Sequence, residues 1–157
     1  MQSEDIKIRQ ATLKDVDILT KLRRMMFESM GEKDLLKLDK CDSASKLYFE
    51  KAIPNKEFYG WLALLKSGEI VGSGGFVIDE HVPSPTNSSG RLAYILNIVT
   101  LPDYRRQGIA RNIMKKMLEW ISKTDMKVVE LHASEMGKSL YKEFGFEEGT
   151  GMRLILK

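Results

Sequence analysis

The stretch Leu92–Arg111, LAYILNIVTLPDYRRQGIAR, decides how this chain is read. Leu92 to Leu101 is a nearly uninterrupted apolar run, the pattern of a central strand covered on both faces, and Pro102 and Asp103 end it. A glycine, Gly108, then opens an amphipathic helix in which Ile109, Ile113, Met117 and Ile121 recur every four residues. Between strand and helix stand Tyr104, Arg105, Arg106, Gln107, Gly108, Ile109, Ala110 and Arg111. Such a junction suits an anion, because the first N–H groups of a helix lack partners and the helix dipole adds partial positive charge. Gly108 lets backbone approach a phosphate, and three arginines supply charge-assisted donors; the competing reading is of solvated arginines around a simple turn. The loop is not a P-loop, since no Lys-Ser or Lys-Thr follows the glycine, and Gly72, Gly74 and Gly75 lack the dinucleotide-binding spacing.

Outward from this stretch, the order of elements predicts an α/β domain. Ile6 and Ile8 mark a short strand, and Thr12 with Asp15 forms a capping box. Val16, Leu19, Leu22, Met26 and Met30 make one face of a helix ending near Gly31. A second helix is expected from Ser43 to Ile53, stopping before Pro54. Phe58–Leu65 and Glu69–Ile78 read as a hairpin whose second strand is weakened by its glycines, and Asp79–Gly90 as an exposed loop. Lys127–His132 is a strand, Glu135–Phe144 a short helix and Met152–Leu156 a final strand. The order β-α-α-β-β-β-α-β-α-β favours a mixed sheet flanked by helices, in a single domain over 1–157.

Composition narrows the function. Charge is nearly balanced, 25 basic against 22 acidic residues for a net +3, which argues against a dedicated nucleic-acid or membrane binder. Cys41 is the only cysteine, so no internal disulfide and no two-cysteine metal site can form. Met1–Gln10 lacks the apolar stretch of a secretory signal, and no apolar run is long enough to span a bilayer. A cytoplasmic protein is therefore expected. The glycosylation triplet Asn87, Ser88, Ser89 is discounted on the same ground.

Arg105-x-x-Gly108-x-Ala110 resembles the Arg/Gln-x-x-Gly-x-Gly/Ala signature of the GCN5-related N-acetyltransferases (GNAT), and Leu140-Tyr141-x-x-x-Gly145-Phe146 follows at the distance of that family's second motif. The resemblance implies a GNAT-type domain with a central mixed sheet of about six or seven strands flanked by helices. It implies acetyl-CoA as cosubstrate, no metal, and direct transfer to a primary amine of a small molecule or protein. By the same similarity the backbone of Ile98, Val99 and Thr100 pairs with the pantetheine arm, and Arg105, Arg106, Gln107, Gly108, Ile109, Ala110 and Arg111 form the pyrophosphate seat. A backbone N–H near Val99 serves as the oxyanion donor, and two parallel strands, equivalent to Leu92–Leu101 and Lys127–His132, splay at the thioester, with a bulge in the first.

Tyr141 is the candidate catalytic acid: a phenol with pKa about 10 stays protonated at neutral pH and can donate to a departing thiolate whose acid has pKa about 8.5. Two positions depart from the family pattern. Ser134 stands where many relatives have an asparagine on the cofactor, and Val129 where some have a glutamate base, with Glu130 on the opposite face of the strand. Glu28, Asn97 and His132 are the remaining candidates on the acceptor side. The partners expected are acetyl-CoA and an amine, with no nucleic acid and no membrane; a homodimer stays open. The rival reading is a non-catalytic CoA-binding or interaction domain, supported by the missing asparagine and glutamate.

Overall fold

A computed structural model describes residues 5–156, so Met1–Glu4 and Lys157, the ends of the expected domain, lie outside the described residues. The elements run β1 (Lys7–Gln10), α1 (Val16–Ser29), α2 (Leu35–Ala52), β2 (Phe58–Leu64), β3 (Ile70–Glu80), β4 (Arg91–Thr100), α3 (Ile109–Ser122), β5 (Val128–Leu131) and α4 (Lys138–Glu143). The strands lie in the order β1-β2-β3-β4-β5. The first three pairings are antiparallel and β4–β5 is parallel, which makes the sheet mixed as expected.

Helices cover both faces. The stripe Ile109, Ile113, Met117 and Ile121 of α3 is buried against Trp61, Ala63, Val71, Phe76, Ala93 and Ile95. On the other face Val16, Leu19 and Leu22 of α1 and Phe49 and Ala52 of α2 close over Phe58, Leu62 and Val99. Each large apolar side chain so buried contributes about 1.5–3 kcal/mol by leaving water. The glycines of β3 do not interrupt that strand, which is the longest in the sheet, and they make room. A Cβ on Gly74 would stand 2.6 Å from Ile113 Cγ2 and 2.8 Å from Ile98 Cδ1, so α3 and β4 can sit this close to β3 only because the side chain is absent.

Five strands form among the described residues, not six or seven. The missing one is Met152–Leu156, which belongs to no ladder and is left in solvent, with Met152 100% and Leu154 82% exposed. Apolar β-formers alone do not make a strand, because the state is stabilised by a partner ladder and a covered face. The second helix is longer than its pattern suggested and begins at Leu35, since the Asp34 carboxylate accepts from the N–H groups of Leu36 (3.0 Å) and Lys37 (3.2 Å). The last helix is shorter, because Ser134–Gly137 folds as a turn before Lys138. β3 runs on to Glu80, which shortens the loop that follows.

Termini of α1 are set by local chemistry. At its C-terminus Gly31 adopts φ 102°, while its N–H bonds Glu28 O and that of Glu32 bonds Phe27 O, a Schellman closure. Before its N-terminus the capping box of Thr12 and Asp15 forms over Leu13–Asp15. The buried Asp15 carboxylate accepts from Arg9 Nη1 (2.8 Å), Arg9 Nη2 (2.9 Å) and the Thr12 N–H (2.7 Å). The Arg9 hydrogen bonds, helped by Thr12 and opposed by desolvation, hold this carboxyl below the usual aspartate range. A depressed folded-state pKa contributes stability that is present above the unfolded value and lost as pH falls through the folded one. Asp15→Asn is therefore expected to cost about 1–2 kcal/mol at pH 7. The variant should also lose part of the wild type's decline in stability below about pH 4, as read by urea titrations across pH.

Candidate active site

The parallel pair β4–β5 is short. Pairing extends from Leu92↔Val128 to Ile95↔Leu131, where β5 ends while β4 continues to Thr100. The edge of β4 from Leu96 to Thr100 that would face β5 thus has no neighbouring strand among the described residues, and its backbone groups are available to an extended ligand. At the start of this open edge β4 bulges: Ser73 pairs with Val99 and Gly75 with Leu96, so Asn97 and Ile98 together oppose Gly74. Asn97 has φ 61°. Its carbonyl accepts from Ser73 Oγ at 3.1 Å, its Oδ1 accepts from Arg23 Nη1 at 2.5 Å, and its Nδ2 is buried without a partner.

Beyond Thr100 the chain enters the basic loop. Arg105 Nε donates to the Thr100 carbonyl at 3.2 Å, which fixes the exit from β4. Arg106 and Gly108 both take left-handed conformations, φ 62° and 81°, and α3 starts immediately after. Its first internal hydrogen bond is Asn112 N–H to Gly108 O at 3.0 Å. The N–H groups of Ile109, Ala110 and Arg111 therefore have no intrahelical acceptor and, with the helix dipole, suit an anion. A Cβ on Gly108 would meet no atom within 4 Å, so the protein leaves the space over this residue clear. The exposed Arg105 and Arg106 enter no ion pair among the described residues. Arg111 is differently employed: its Nη2 donates to Glu143 Oε2 at 2.6 Å and ties α4 to the start of α3. Gln107 keeps a buried, unpartnered Oε1.

On α4, Tyr141 packs edge-on to Phe146, with ring centroids 6.0 Å apart, and both lie against the α3-side core. Burial raises the phenol above its ordinary value. Gly137 gives the ring its place, since a Cβ there would stand 2.8 Å from Tyr141 Cε2. Ser134 is exposed and its Oγ accepts from the Gly137 N–H at 3.2 Å, leaving the hydroxyl proton for another partner.

The opposite face of the sheet carries a polar group of residues that the sequence did not single out as a set. Tyr94 shares a face with Leu96, and Asp79 with Val77, both packed on the α1–α2 side. Glu130 lies opposite Tyr94 in register, whereas Val129 packs on the α3 side, so the two point to opposite faces as the alternation required. Tyr94 Oη hydrogen-bonds His132 Nδ1. Burial lifts the Tyr94 phenol, with Arg153 opposing and Asp79 and Glu130 adding. Tyr48 of α2 is lifted by burial, then by Glu57 and Asp79, with Arg23 opposing. Glu28 is exposed and only 4.0 Å from Arg24, while Arg24 bonds Asp39 and Asp42 of α2. The structure does not bring Glu28 to Asn97. Cys41 sits on α2 with its Sγ 3.7 Å from Ser45 Oγ.

No helix among the described residues is long and apolar enough to cross a membrane. Comparison with known proteins bears directly on this arrangement. A GCN5-related N-acetyltransferase from Ralstonia eutropha superposes with a TM-score of 0.88 at 24% identity, covering 96% of this chain and 98% of that one. A predicted acetyltransferase from Clostridium acetobutylicum, whose crystal structure contains acetyl-CoA, superposes with a TM-score of 0.85 at 26% identity over 97% of this chain and 96% of that one. An aminoglycoside N-acetyltransferase in complex with CoA gives 0.72 at 18% identity over 97% of this chain and 94% of that one. No curated protein matches the sequence. The acetyltransferase (GNAT) family pattern covers residues 21–146, the span from α1 through the α4 tyrosine to Phe146, and with this coverage the chain belongs to the GNAT family of acetyltransferases.

Proposed function

We propose that the protein transfers the acetyl group of acetyl-CoA directly to a primary amine, with residues 1–157 acting as one cytoplasmic N-acetyltransferase domain. The observation that carries this reading is the continuity of the open β4 edge, past the bulge at Asn97, into the left-handed Gly108 and the free N–H groups of α3. An extended thioester arm laid along Ile98, Val99 and Thr100 as an added strand delivers its diphosphate to that seat. The free N–H groups, the clear space over Gly108 and the unpaired Arg105 and Arg106 all suit such a group. The Clostridium acetobutylicum relative, solved with acetyl-CoA, supports the same ligand.

In the reaction the neutral amine attacks the thioester carbonyl carbon, and a backbone N–H near Val99 stabilises the oxyanion. Collapse of the tetrahedral species breaks the C–S bond and leaves the electron pair on sulfur. Tyr141 gives its hydroxyl proton to that sulfur, and the proton lost by the attacking nitrogen returns to the phenolate through water. The raised phenol pKa suits an acid that must remain protonated until the thiolate departs. Direct transfer fits the position of Cys41, on α2 and engaged with Ser45.

The test is calorimetry with coenzyme A followed by thiol release from acetyl-CoA over an amine panel. Heat of binding together with amine-dependent thiol release is expected. Absence of binding sinks the reading, and binding without thiol release for any amine leaves a CoA-binding module in its place.

A further inference from the structure

Arg23 and Arg24 are neighbours on α1, and the fold employs them differently. Arg24 donates to Asp39 at 2.8 Å and Asp42 at 2.6 Å, an ordinary brace between α1 and α2. Arg23 has no carboxylate partner among the described residues. It is half-buried, lies 4.8 Å from the Phe27 ring centroid, and its hydrogen bond runs to the neutral Asn97 Oδ1 at 2.5 Å. A guanidinium has five N–H donors in a planar fork, so this leaves most of its donors unused and its charge facing a ring and an amide, with no carboxylate among the described residues.

Asn97 shows that the pairing is not incidental packing. The residue is 2% exposed, holds φ 61° in a bulge and keeps an unpartnered Nδ2. Backbone strain and an orphaned buried donor are both unfavourable, and they persist where a site over-determines the geometry. The place is informative as well, because Asn97 lies just past Ile95↔Leu131, where β5 leaves β4. If acetyl-CoA lies along the open edge as proposed above, Arg23 reaches the sheet beside the reacting carbonyl, from the α1–α2 side. That side also carries Asp79 and Glu130, whose charges reach the Tyr94 phenol. The face thus offers Arg23 at the bulge and Arg153 beside Tyr94, neither paired with a carboxylate among the described residues, together with the carboxylates of Asp79 and Glu130.

We propose that Arg23, oriented by Asn97, binds a carboxylate of the acceptor, so that the acceptor is an amino acid or another amine bearing a carboxylate. A guanidinium fork matches a carboxylate in a bidentate way, and the carboxylates of the same face favour the ammonium end of the incoming molecule. Asn97 is a positioning residue in this arrangement, since it fixes the direction in which the remaining donors point.

The proposal rests on the acetyl-transfer reading and is tested by thiol release with matched acceptors: free amino acids, their amides and their decarboxylated amines. The wild type is expected to favour the amino acid in kcat/KM by about ten- to a hundredfold. Arg23→Gln should collapse that ratio, chiefly by raising KM for the amino acid, and Arg23→Lys should keep part of it, having charge without the fork. Asn97→Gly, which tolerates the left-handed backbone, should raise KM for the amino acid more than for its amide. Because the readout is a ratio within one preparation, loss of folded protein does not imitate it. Equal use of amino acid and amide by the wild type, or an undiminished ratio in Arg23→Gln, overturns the carboxylate assignment alone. Thiol release with no member of this panel but with another amine overturns the carboxylate assignment and leaves acetyl transfer standing, whereas thiol release with no amine at all overturns both.

Discussion

Tyr141→Phe is expected to lower kcat by about a hundredfold or more, the contribution typical of a positioned general acid, while changing the Kd for coenzyme A by less than about twofold. The substitution removes one oxygen and keeps the ring, so the edge contact with Phe146 and the fit over Gly137 survive. Tyr141 makes no hydrogen bond to another side chain among the described residues, so no folding partner is orphaned by the change. A fall in kcat of this size corresponds to about 2.7 kcal/mol of transition-state stabilisation. Burial raises the phenol above its ordinary value, so the protonated acid persists to higher pH. An alkaline limb in the wild-type kcat profile that belongs to Tyr141 should accordingly lie above about pH 10. Stopped-time thiol release against pH, with wild type and Phe variant side by side, measures both quantities. Unchanged turnover in the variant removes the hydroxyl from the reaction.

Gly108→Val is expected to raise the Kd for coenzyme A by at least about tenfold, or about 1.4 kcal/mol. Two causes act together. At φ 81° a β-branched residue is strained by about 1–2 kcal/mol, which biases the turn away from the conformation that opens α3. The new side chain also enters space beside the start of α3 that the protein itself leaves clear for 4 Å. The accompanying loss of stability should be modest, a fall in Tm of about 2–8 °C for about 1–2 kcal/mol in a chain of this size. Calorimetric titration with coenzyme A, alongside thermal unfolding, separates the two effects. Undiminished affinity would move the diphosphate seat away from this turn.

The features legible in the sequence are those governed by local periodicity and by backbone exceptions. The apolar run of β4 and the four-residue stripe of α3 appear where expected, because burying a strand on two faces or a helix on one leaves a period that needs no tertiary knowledge. Gly108 is recognisable as the hinge of the anion loop for the same reason, since a left-handed residue at a helix start favours glycine. Boundaries are less legible. The early start of α2 rests on a single capping aspartate, Asp34, in a polar stretch. The absence of a ladder at Met152–Leu156 reflects a missing partner, which no property of those five residues encodes.

Sequence alone thus determined the family, through the resemblance carried by Arg105-x-x-Gly108-x-Ala110 and Leu140-Tyr141-x-x-x-Gly145-Phe146, because each motif is written in residues close together along the chain. Tertiary structure alone decided which of two adjacent arginines is free. Arg23 and Arg24 are adjacent on one helix, and the docking of α2 gives Arg24 its hydrogen-bonded carboxylates, Asp39 and Asp42, while the bulge, 74 residues from Arg23, gives Arg23 an amide instead. The physical reason is that a guanidinium's state depends on what folding brings within hydrogen-bond reach, and those partners are long-range contacts that no local pattern records.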